Sequence, residues 1–175
     1  KNVEIFNTSS TGLLARNGNV YGENVIINNS GQTSLSCSLG GRYNFIQSTF
    51  VNYWTNNFRL FPSVVIDNVL QVSETEFVTE DLIEANFINC IIYGNEAREL
   101  IFVEDESAAF NFNFVNSLIR FDDPSGNYSD DPNYDFSNEN LYVDIVRNQD
   151  PTFFKTNLNN FNIESEVSGA DGIAN

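Results

Sequence analysis

Oxygen-bearing side chains recur at every second position of the segment 122–133, and they are the residues of this chain best suited to chemistry. They are Asp123, Ser125, Asn127, Ser129 and Asp131. Carboxylate, hydroxyl and amide oxygens are the ligands that a hard cation such as Ca²⁺ prefers. The segment lacks the central Gly and the closing bidentate Glu of an EF-hand loop. We predict a calcium site at Asp123, Ser125, Asn127 and Asp131, with a solvated acidic loop as the alternative.

Proton transfer has few candidates in this sequence. The chain contains no His, which removes the commonest general base and the Ser–His and Cys–His nucleophile pairs. Asp122 and Asp123 are adjacent, as are Asp130 and Asp131, and adjacent residues of an extended chain point in opposite directions. Neither pair therefore forms a facing acid and base by itself. We predict no catalytic residue and no cofactor other than Ca²⁺.

The formal net charge of −16 is concentrated in one part of the chain. Residues 1–66 hold four basic and two acidic residues, a net charge of +2, whereas residues 67–175 hold four basic and 22 acidic residues, a net charge of −18. Phosphate binding needs Lys and Arg, so we expect no nucleic-acid partner, and an anionic membrane surface is disfavoured. The distribution favours a basic protein patch or divalent cations, with a merely solvated acidic surface as the alternative.

Cys37 and Cys90 are the only cysteines, and each lies among apolar residues of a strand-like segment. A free Cys in such a place behaves as a small buried hydrophobic residue. A disulfide requires Cα atoms within about 7 Å, a condition that residues on separate coils are not expected to meet. We predict that both thiols are reduced, buried and separate.

Five short stretches that resemble one another must position these groups. They begin at Val3, Val25, Ser48, Ile91 and Leu118, separated by 22, 23, 43 and 27 residues. Their third residues are Ile5, Ile27, Phe50, Tyr93 and Arg120, and their fifth residue is Asn or Asp. The first and third residues of a strand point to one face, so each stretch is interpreted as a strand that ends at a turn. Internal similarity at this period is typical of a solenoid built from strands.

Composition agrees with such a fold, because the chain has 16 Phe, 7 Tyr and 28 Asn but no Met. Aromatic residues favour strands, and Asn favours turns. We predict an all-β parallel β-helix (solenoid) of about six coils with an irregular C-terminal cap. It is a single domain over 1–175, with regular coils at 1–121, an acidic loop at 122–140 and a closing segment at 141–175. The charged residues at 74–85 predict a surface excursion with one helical turn.

The chain contains no run of 18 apolar residues, so we predict no transmembrane segment. It begins in the middle of the repeat pattern, without an initiator Met or a signal peptide, and is expected to be a processed product or a fragment. We expect any lipid anchor to lie outside these residues.

The order of motifs along the chain resembles that of a known family. The motifs occupy residues 48–54, 86–95, 148–153 and 160–163. They are similar to those of the secreted right-handed parallel β-helix repeat proteins of Bacteroidota, and the resemblance extends over nearly the whole chain. It implies a right-handed coil and a location at the cell surface, where members are often lipid-anchored. It also implies further coils before Lys1 and a short closing segment after Asn175.

Parallel β-helices often act on acidic polysaccharides, and the resemblance therefore raises an enzymatic alternative. The hydrolases of this architecture need clustered Asp residues with a His, and the lyases need a Lys or Arg base. Arg120, close to Asp122, is the one candidate for such a base, and an exposed Arg paired with a nearby carboxylate is the alternative interpretation. A groove lined by Asp and Arg would favour an enzyme, and a face of Asn, Phe and Val would favour a scaffold.

We therefore predict a non-catalytic cell-surface scaffold or binding module that belongs to a larger outer-membrane or extracellular assembly. Its partner is expected to be a protein of that assembly or a glycan. The alternative is a polysaccharide-active lyase or glycoside hydrolase. Binding that is carried by exposed charge should weaken as salt is added.

Overall fold

A computed structural model describes residues 1–173, and its regular structure consists almost entirely of strands. In chain order the strands are β1 (Val3–Thr8), β2 (Leu13–Glu23), β3 (Val25–Ser30), β4 (Leu35–Ile46), β5 (Thr49–Asn52), β6 (Val64–Asp67), β7 (Val69–Gln71), β8 (Phe77–Thr79), β9 (Leu82–Ile88), β10 (Ile91–Gly94), β11 (Leu100–Val103), β12 (Phe110–Val115), β13 (Leu118–Ile119), β14 (Tyr142–Val143), β15 (Val146–Arg147), β16 (Phe153–Lys155) and β17 (Asn160–Ile163). Short 3₁₀ helices occur at Pro132–Tyr134 and Thr156–Leu158. Within residues 1–173, no helix is long and apolar enough to cross a membrane.

Six of these strands form one parallel sheet, the first sheet, in the order β1, β3, β5, β10, β13 and β15. Its strands align a row of apolar side chains that comprises Ile5, Ile27, Phe50, Ile92 and Ile119. All members of the row from Ile27 onward are fully buried. The predicted parallel pairing of the first three stretches is confirmed, because Val3 pairs with Val25, and Ile27 pairs with Phe50.

A left-handed residue precedes each strand of the first sheet by one or two positions. These corner residues are Asn2, Asn24, Gln47, Asn89, Asn116 and Asp144, with φ between 47° and 56°. Asn and Asp tolerate this conformation better than most residues that carry a side chain. Asn24 Nδ2 also donates a hydrogen bond of 2.9 Å to Asn2 Oδ1, from one corner to the next. The abundance of Asn in the sequence therefore has a structural cause at these corners.

The second parallel sheet has seven strands and branches at β4. β2 pairs with β4 along nearly its whole length. On the other side of β4, residues 35–37 pair with β6, whereas residues 41–46 pair with β9. The first branch continues from β6 to β11, and the second continues from β9 through β12 to β14. β4 can serve both branches because it has 12 residues, whereas β6 has 4 and β9 has 7.

The predicted fold class, a right-handed parallel β-helix (solenoid) of about six coils with an irregular C-terminal cap, is wrong. The described chain forms a six-stranded sheet and a branched seven-stranded sheet, together with the antiparallel pairs β7–β8 and β16–β17. The physical reason is that the chain inserts a loop at 53–63 and the β7–β8 hairpin, so that two separate strands extend β4. In addition, β14 and β15 lie in the predicted cap and extend the two parallel sheets instead. The coarser all-β description holds.

The fourth repeated stretch is shifted by one residue from the predicted register. Ile91 pairs with Thr49 instead of Ser48. Because side chains alternate along a strand, this shift turns Tyr93 to the outer face and places Ile92 in the core. The fifth stretch keeps the register of the fourth, so the same exchange applies there.

The excursion predicted at residues 74–85 contains strands and no helical turn. β8 pairs with β7 in an antiparallel hairpin, and β9 begins at Leu82. Leu82 and Ala85 are fully buried. The acidic residues beside them therefore belong to the outer side of a core strand.

One hydrophobic core lies between the two parallel sheets and draws residues from both. A column of rings runs through it in register across β4, β9, β12 and β14, formed by Phe45, Phe87, Phe114 and Tyr142. Neighbouring rings are stacked, with centroids 5.5, 4.8 and 5.7 Å apart. Stacked aromatic pairs contribute about 0.5–1.5 kcal/mol each beyond the burial of their area. The column therefore ties four successive strands together.

Cys37 and Cys90 are free, fully buried and part of this core, which confirms the prediction made for them. Burial raises the pKa of both thiols, that of Cys90 to about 12. The Cys90 thiol donates to the carbonyl oxygen of Ile88 at 3.4 Å. Because a protonated thiol is a poor nucleophile, both residues serve packing rather than chemistry.

The C-terminal segment, which contains β16 and β17, lies against the outer face of the first sheet. Phe161, in β17, has its ring centroid 6.3 Å from that of Phe6 and 6.4 Å from that of Tyr53. Asn28 Nδ2 donates a hydrogen bond of 2.8 Å to Asn159 Oδ1. Phe6 and Asn28 each follow a residue of the apolar row, so both point away from the core. The segment therefore covers part of this face, and a cleft opens beside it.

Candidate functional site

The two carboxylates predicted to bind Ca²⁺ have partners within their own segment, which lies between β13 and β14. Asp123 Oδ2 accepts a hydrogen bond of 2.8 Å from the Tyr128 N–H, and Asp123 Oδ1 lies 3.6 Å from Arg98 Nη1. Asp131 Oδ1 accepts a hydrogen bond of 2.9 Å from the Asn133 N–H and caps the first 3₁₀ helix. Both carboxylates therefore order the segment itself.

The other two predicted calcium ligands, Ser125 and Asn127, are exposed. Within residues 1–173, no group of three or more His, Cys, Asp or Glu side chains is arranged to hold a metal ion. The calcium site at Asp123, Ser125, Asn127 and Asp131 stays a prediction. Its exposed hydroxyl and amide oxygens can be tested separately from the two carboxylates, which have structural contacts.

Arg120 lies on the outer face of the first sheet, where its guanidinium is engaged with the neighbouring strand. Arg120 Nη1 donates a hydrogen bond of 2.7 Å to the carbonyl oxygen of Gly94. Its Cζ lies 5.0 Å from the centroid of the Tyr93 ring. The carbonyl acceptor and the cation–π contact hold the guanidinium against the neighbouring strand. The arrangement suits a structural group better than a base that accepts a proton.

A polar cleft opens beside the C-terminal segment, and we call it the asparagine cleft. It has a volume of about 470 Å³ and is lined by Asn7, Asn28, Asn29, Tyr53, Thr55, Asn95, Thr156, Asn157 and Asn159. None of these lining side chains carries a charge at neutral pH. The volume lies within the range of small-ligand sites.

Backbone conformation and hydrogen bonds hold the amide groups of the cleft in place. Asn7, Asn29 and Asn159 are left-handed, with φ of 61°, 57° and 54°. Asn29 Nδ2 donates a hydrogen bond of 2.5 Å to Asn7 Oδ1, and Asn28 Oδ1 accepts one of 3.0 Å from the Tyr53 N–H. Within residues 1–173, Asn7 Nδ2 and Asn29 Oδ1 have no hydrogen-bond partner. These two atoms remain available to a ligand.

Tyr53 supplies the aromatic surface of the cleft. Its ring is parallel to that of Phe161 and meets that of Phe153 edge-on, with both centroids 6.4 Å away. Burial, together with the nearby Tyr93 and Asp150, raises the pKa of the Tyr53 hydroxyl. The hydroxyl is therefore neutral at physiological pH, and packing holds its ring in one orientation.

The loop at 53–63, which follows β5, is anchored by a buried ion pair. Arg59 Nη1 and Nη2 lie 2.9 and 2.6 Å from the two carboxylate oxygens of Glu99, and the two side chains are 2% and 0% exposed. Glu99 also accepts hydrogen bonds from the Ser63 N–H at 2.7 Å and from the Glu96 N–H at 2.8 Å. Bidentate geometry and these extra donors offset part of the desolvation of both charges, while Arg59 Nε is buried without a hydrogen-bond partner within residues 1–173.

The same loop displays apolar side chains to solvent on either side of the buried charge. Phe58, Leu60 and Phe61 are 83%, 76% and 46% exposed, and we call these three residues the apolar tip. Arg59, between the first two, is only 3% exposed. Clustered apolar side chains on a surface mark interaction sites more often than scattered ones do.

Comparison with known proteins provides no relative for this chain. No family model matches it, no curated protein matches it, and no solved structure matches it. The cleft, the apolar tip and the charge distribution are therefore the features that bear on its function.

Neither the asparagine cleft nor the apolar tip is apparent from the sequence alone. Asn28 and Asn159 meet across 131 residues, and no local pattern reports such a contact. A weak signal exists for the cleft, because Asn7 and Asn29 occupy the same position in the first two repeated stretches. For the tip, the signal is a single Arg inside an otherwise apolar run, at residues 58–61.

Proposed function

We propose that the chain is a non-catalytic scaffold or binding module that joins a larger assembly through the apolar tip. The observation that carries this proposal is the inverted exposure of residues 58–60, where the charge is buried and its two large apolar neighbours meet solvent. Burying a Phe or Leu side chain stabilises a protein by about 1.5–3 kcal/mol. The isolated chain lacks this stabilisation at both positions. A partner that covers the tip would gain this free energy.

The partner that fits this surface is a protein with an apolar pocket and basic residues around it. The ion pair between Arg59 and Glu99 holds the tip in one arrangement, which reduces the entropy lost on binding. A few apolar anchors in a pocket carry most of the free energy of a protein interface. The net charge of −18 in residues 67–175 favours a positively charged partner and repels an acidic one.

We place this module at the cell surface, in an outer-membrane or extracellular assembly. This part of the proposal is supported by the resemblance of the four motif regions to secreted, often lipid-anchored proteins of Bacteroidota.

The non-catalytic part of the proposal is supported by the contacts of the candidate groups. Arg120 binds the carbonyl oxygen of Gly94, and Asp123 binds the Tyr128 N–H. Each group thus has a structural partner that a catalytic role would have to displace. A polysaccharide lyase or hydrolase would need an acid and a base free to face the substrate from two sides.

A double variant tests the contact at the apolar tip. Phe58→Ser with Leu60→Ser removes both anchors, and Phe154→Ser with Val167→Ser is the matched control, since Phe154 and Val167 are each 64% exposed elsewhere. The immobilised chain is incubated with the envelope fraction of the native cells, and recovered proteins are quantified by mass spectrometry. We expect one basic protein to be recovered by the wild type and the control, and at least about tenfold less by the tip variant.

Two further results would contradict the proposal. Equal recovery by all three forms would show that the tip makes no contact. New reducing ends or unsaturated products from pectin- or alginate-type polymers, lost in Arg120→Ala, would show that the chain is an enzyme. Added salt should weaken binding of the recovered protein, because the acidic surface contributes to it.

A further inference from the structure

We propose that the asparagine cleft binds an uncharged oligosaccharide. This site goes beyond the protein contact of the apolar tip and uses different residues. Sugar hydroxyls both donate and accept hydrogen bonds, and each Asn side chain offers donors and an acceptor. Of the residues that line the cleft, six are Asn, two are Thr and one is Tyr. The lining therefore offers hydroxyls both donors and acceptors, among them Asn7 Nδ2 and Asn29 Oδ1, whereas both amide atoms of Asn28 are already bonded within the chain.

The charge of the cleft and of the whole chain selects against ionic ligands. No Lys or Arg lines the cleft, so an anionic sugar, a phosphate or a carboxylate would find no counter-charge there. The net charge of −16 repels anionic polymers over the rest of the surface. No Asp or Glu lines the cleft either, so a cationic sugar has no specific partner. A neutral sugar needs no counter-charge in the cleft and is not repelled by the charge of the chain.

The cleft is ordered before a ligand arrives. The hydrogen bonds Asn29–Asn7 and Asn28–Asn159, at 2.5 and 2.8 Å, fix four of its amides. Left-handed backbone conformations constrain the same region. Groups that are already ordered lose less conformational entropy on binding, which matters for a ligand that gains mainly hydrogen bonds.

The ring of Tyr53 gives the cleft an apolar surface that a polar peptide site would not need. Packing against Phe161 and Phe153 holds this ring in place. A sugar ring has C–H groups on its faces and hydroxyls at its rim. It can therefore cover an aromatic side chain while its rim meets the surrounding amides.

Titration calorimetry with neutral and acidic oligosaccharides tests the inference. The neutral set contains glucan-, mannan- and xylan-type oligosaccharides, and the acidic set contains alginate and pectin fragments. We expect at least one neutral ligand to bind, with an affinity that changes less than about twofold between about 0.05 and 0.5 M NaCl, because no charge takes part. Acidic fragments should bind at least about tenfold more weakly.

Two variants assign the binding to the cleft. Asn7→Gly keeps the positive φ of 61° and removes one amide, and Asn157→Ala removes an exposed amide from the second 3₁₀ helix. Each should lower the affinity about fivefold to tenfold, the effect of losing about one hydrogen bond. Asn17→Gly is the matched control, since Asn17 is exposed with φ of 42° and lies outside the cleft. The control should bind as the wild type does.

The inference is overturned if no neutral oligosaccharide binds, or if the acidic fragments bind more tightly. An affinity that is unchanged in both cleft variants would place the site elsewhere and would also overturn it. Phe58→Ser with Leu60→Ser should leave sugar binding unchanged. Failure of the sugar site and failure of the apolar tip can therefore be told apart.

Discussion

At the scale of single residues, the buried pair of Arg59 and Glu99 is the most consequential feature of this chain. Two charges buried to 2% and 0% exposure are tolerated because each has several partners. Besides binding Glu99, Arg59 donates from Nη1 to the carbonyl oxygen of Phe61 at 2.6 Å. The net stabilisation from a buried ion pair is smaller than the destabilisation caused by removing one partner. The remaining charge then stays buried without a counter-charge.

Glu99→Ala should therefore lower the free energy of unfolding by about 3–5 kcal/mol, because Arg59 loses its counter-charge. For a chain of this size the midpoint of thermal unfolding should fall by about 6–20 °C. Glu106→Ala is the control, since Glu106 is exposed, and it should change the midpoint by no more than about 2 °C. The measurement is thermal denaturation followed by circular dichroism.

A second variant separates the charge from the packing at this position. Arg59→Met with Glu99→Leu removes both charges and keeps apolar volume, so it should be more stable than Glu99→Ala alone. If Glu99→Ala unfolds at the same temperature as Glu106→Ala, the pair does not anchor the loop, and the apolar tip is not held as described.

At the scale of elements, the corner residues before the strands of the first sheet determine how the chain enters each strand. Five of the six are Asn or Asp, and Gln47 is the exception, with φ of 49°. Residues other than Gly, Asn and Asp adopt this conformation at a cost of about 1–2 kcal/mol. The Gln47 N–H still donates a hydrogen bond of 2.9 Å to the carbonyl oxygen of Ile88. The corner thus keeps its backbone contact despite a residue that suits it poorly.

Gln47→Gly should raise the free energy of unfolding by about 0.5–1 kcal/mol, because Gly adopts the left-handed conformation without strain. Gln71→Gly, at the exposed last residue of β7, is the matched control. It should lower the free energy of unfolding by about 0.5–1 kcal/mol, since Gly weakens a strand. Urea denaturation of both variants measures whether each change raises or lowers the free energy of unfolding. A loss of stability in Gln47→Gly would contradict the role given to the corner residues.

At the scale of the whole molecule, the net charge of −16 determines how the chain responds to ions. Repulsion among its acidic groups destabilises the compact state, and any salt screens this repulsion. A calcium ion bound at one place would add a separate, saturable stabilisation. The two effects can be distinguished because Ser125 and Asn127, two of the ligands predicted for Ca²⁺, are exposed and can be replaced without removing the contacts of Asp123 and Asp131.

We expect Ca²⁺ to raise the midpoint of thermal unfolding more than NaCl of equal ionic strength does. At about ten times the dissociation constant, the excess should be about 3–6 °C. Ser125→Ala with Asn127→Ala should remove this excess and leave the response to NaCl unchanged, since both residues are exposed. An excess that persists in the double variant, or no excess in the wild type, would contradict the calcium site predicted at Asp123, Ser125, Asn127 and Asp131.

The sequence by itself determined which stretches pair and which residues turn. The 22- and 23-residue steps predicted that Val3 lies beside Val25, and Ile27 beside Phe50, and both pairs are found. It also determined that Cys37 is a buried, free thiol. These features follow from alternation along strands and from the turn preference of Asn, which are local properties that a short window of sequence contains.

Only the tertiary structure decided the features that depend on distant contacts. Ile91 pairs with Thr49, 42 residues earlier, so the register differs by one residue from the predicted one. The cause is that the chain between them forms a loop and a hairpin of its own. The branch at β4 has the same origin. The burial of Arg59 depends on Glu99, 40 residues away, and the asparagine cleft depends on a C-terminal segment that returns to the first sheet. Contacts of this kind are selected by the packing of the whole chain, and no local period records them.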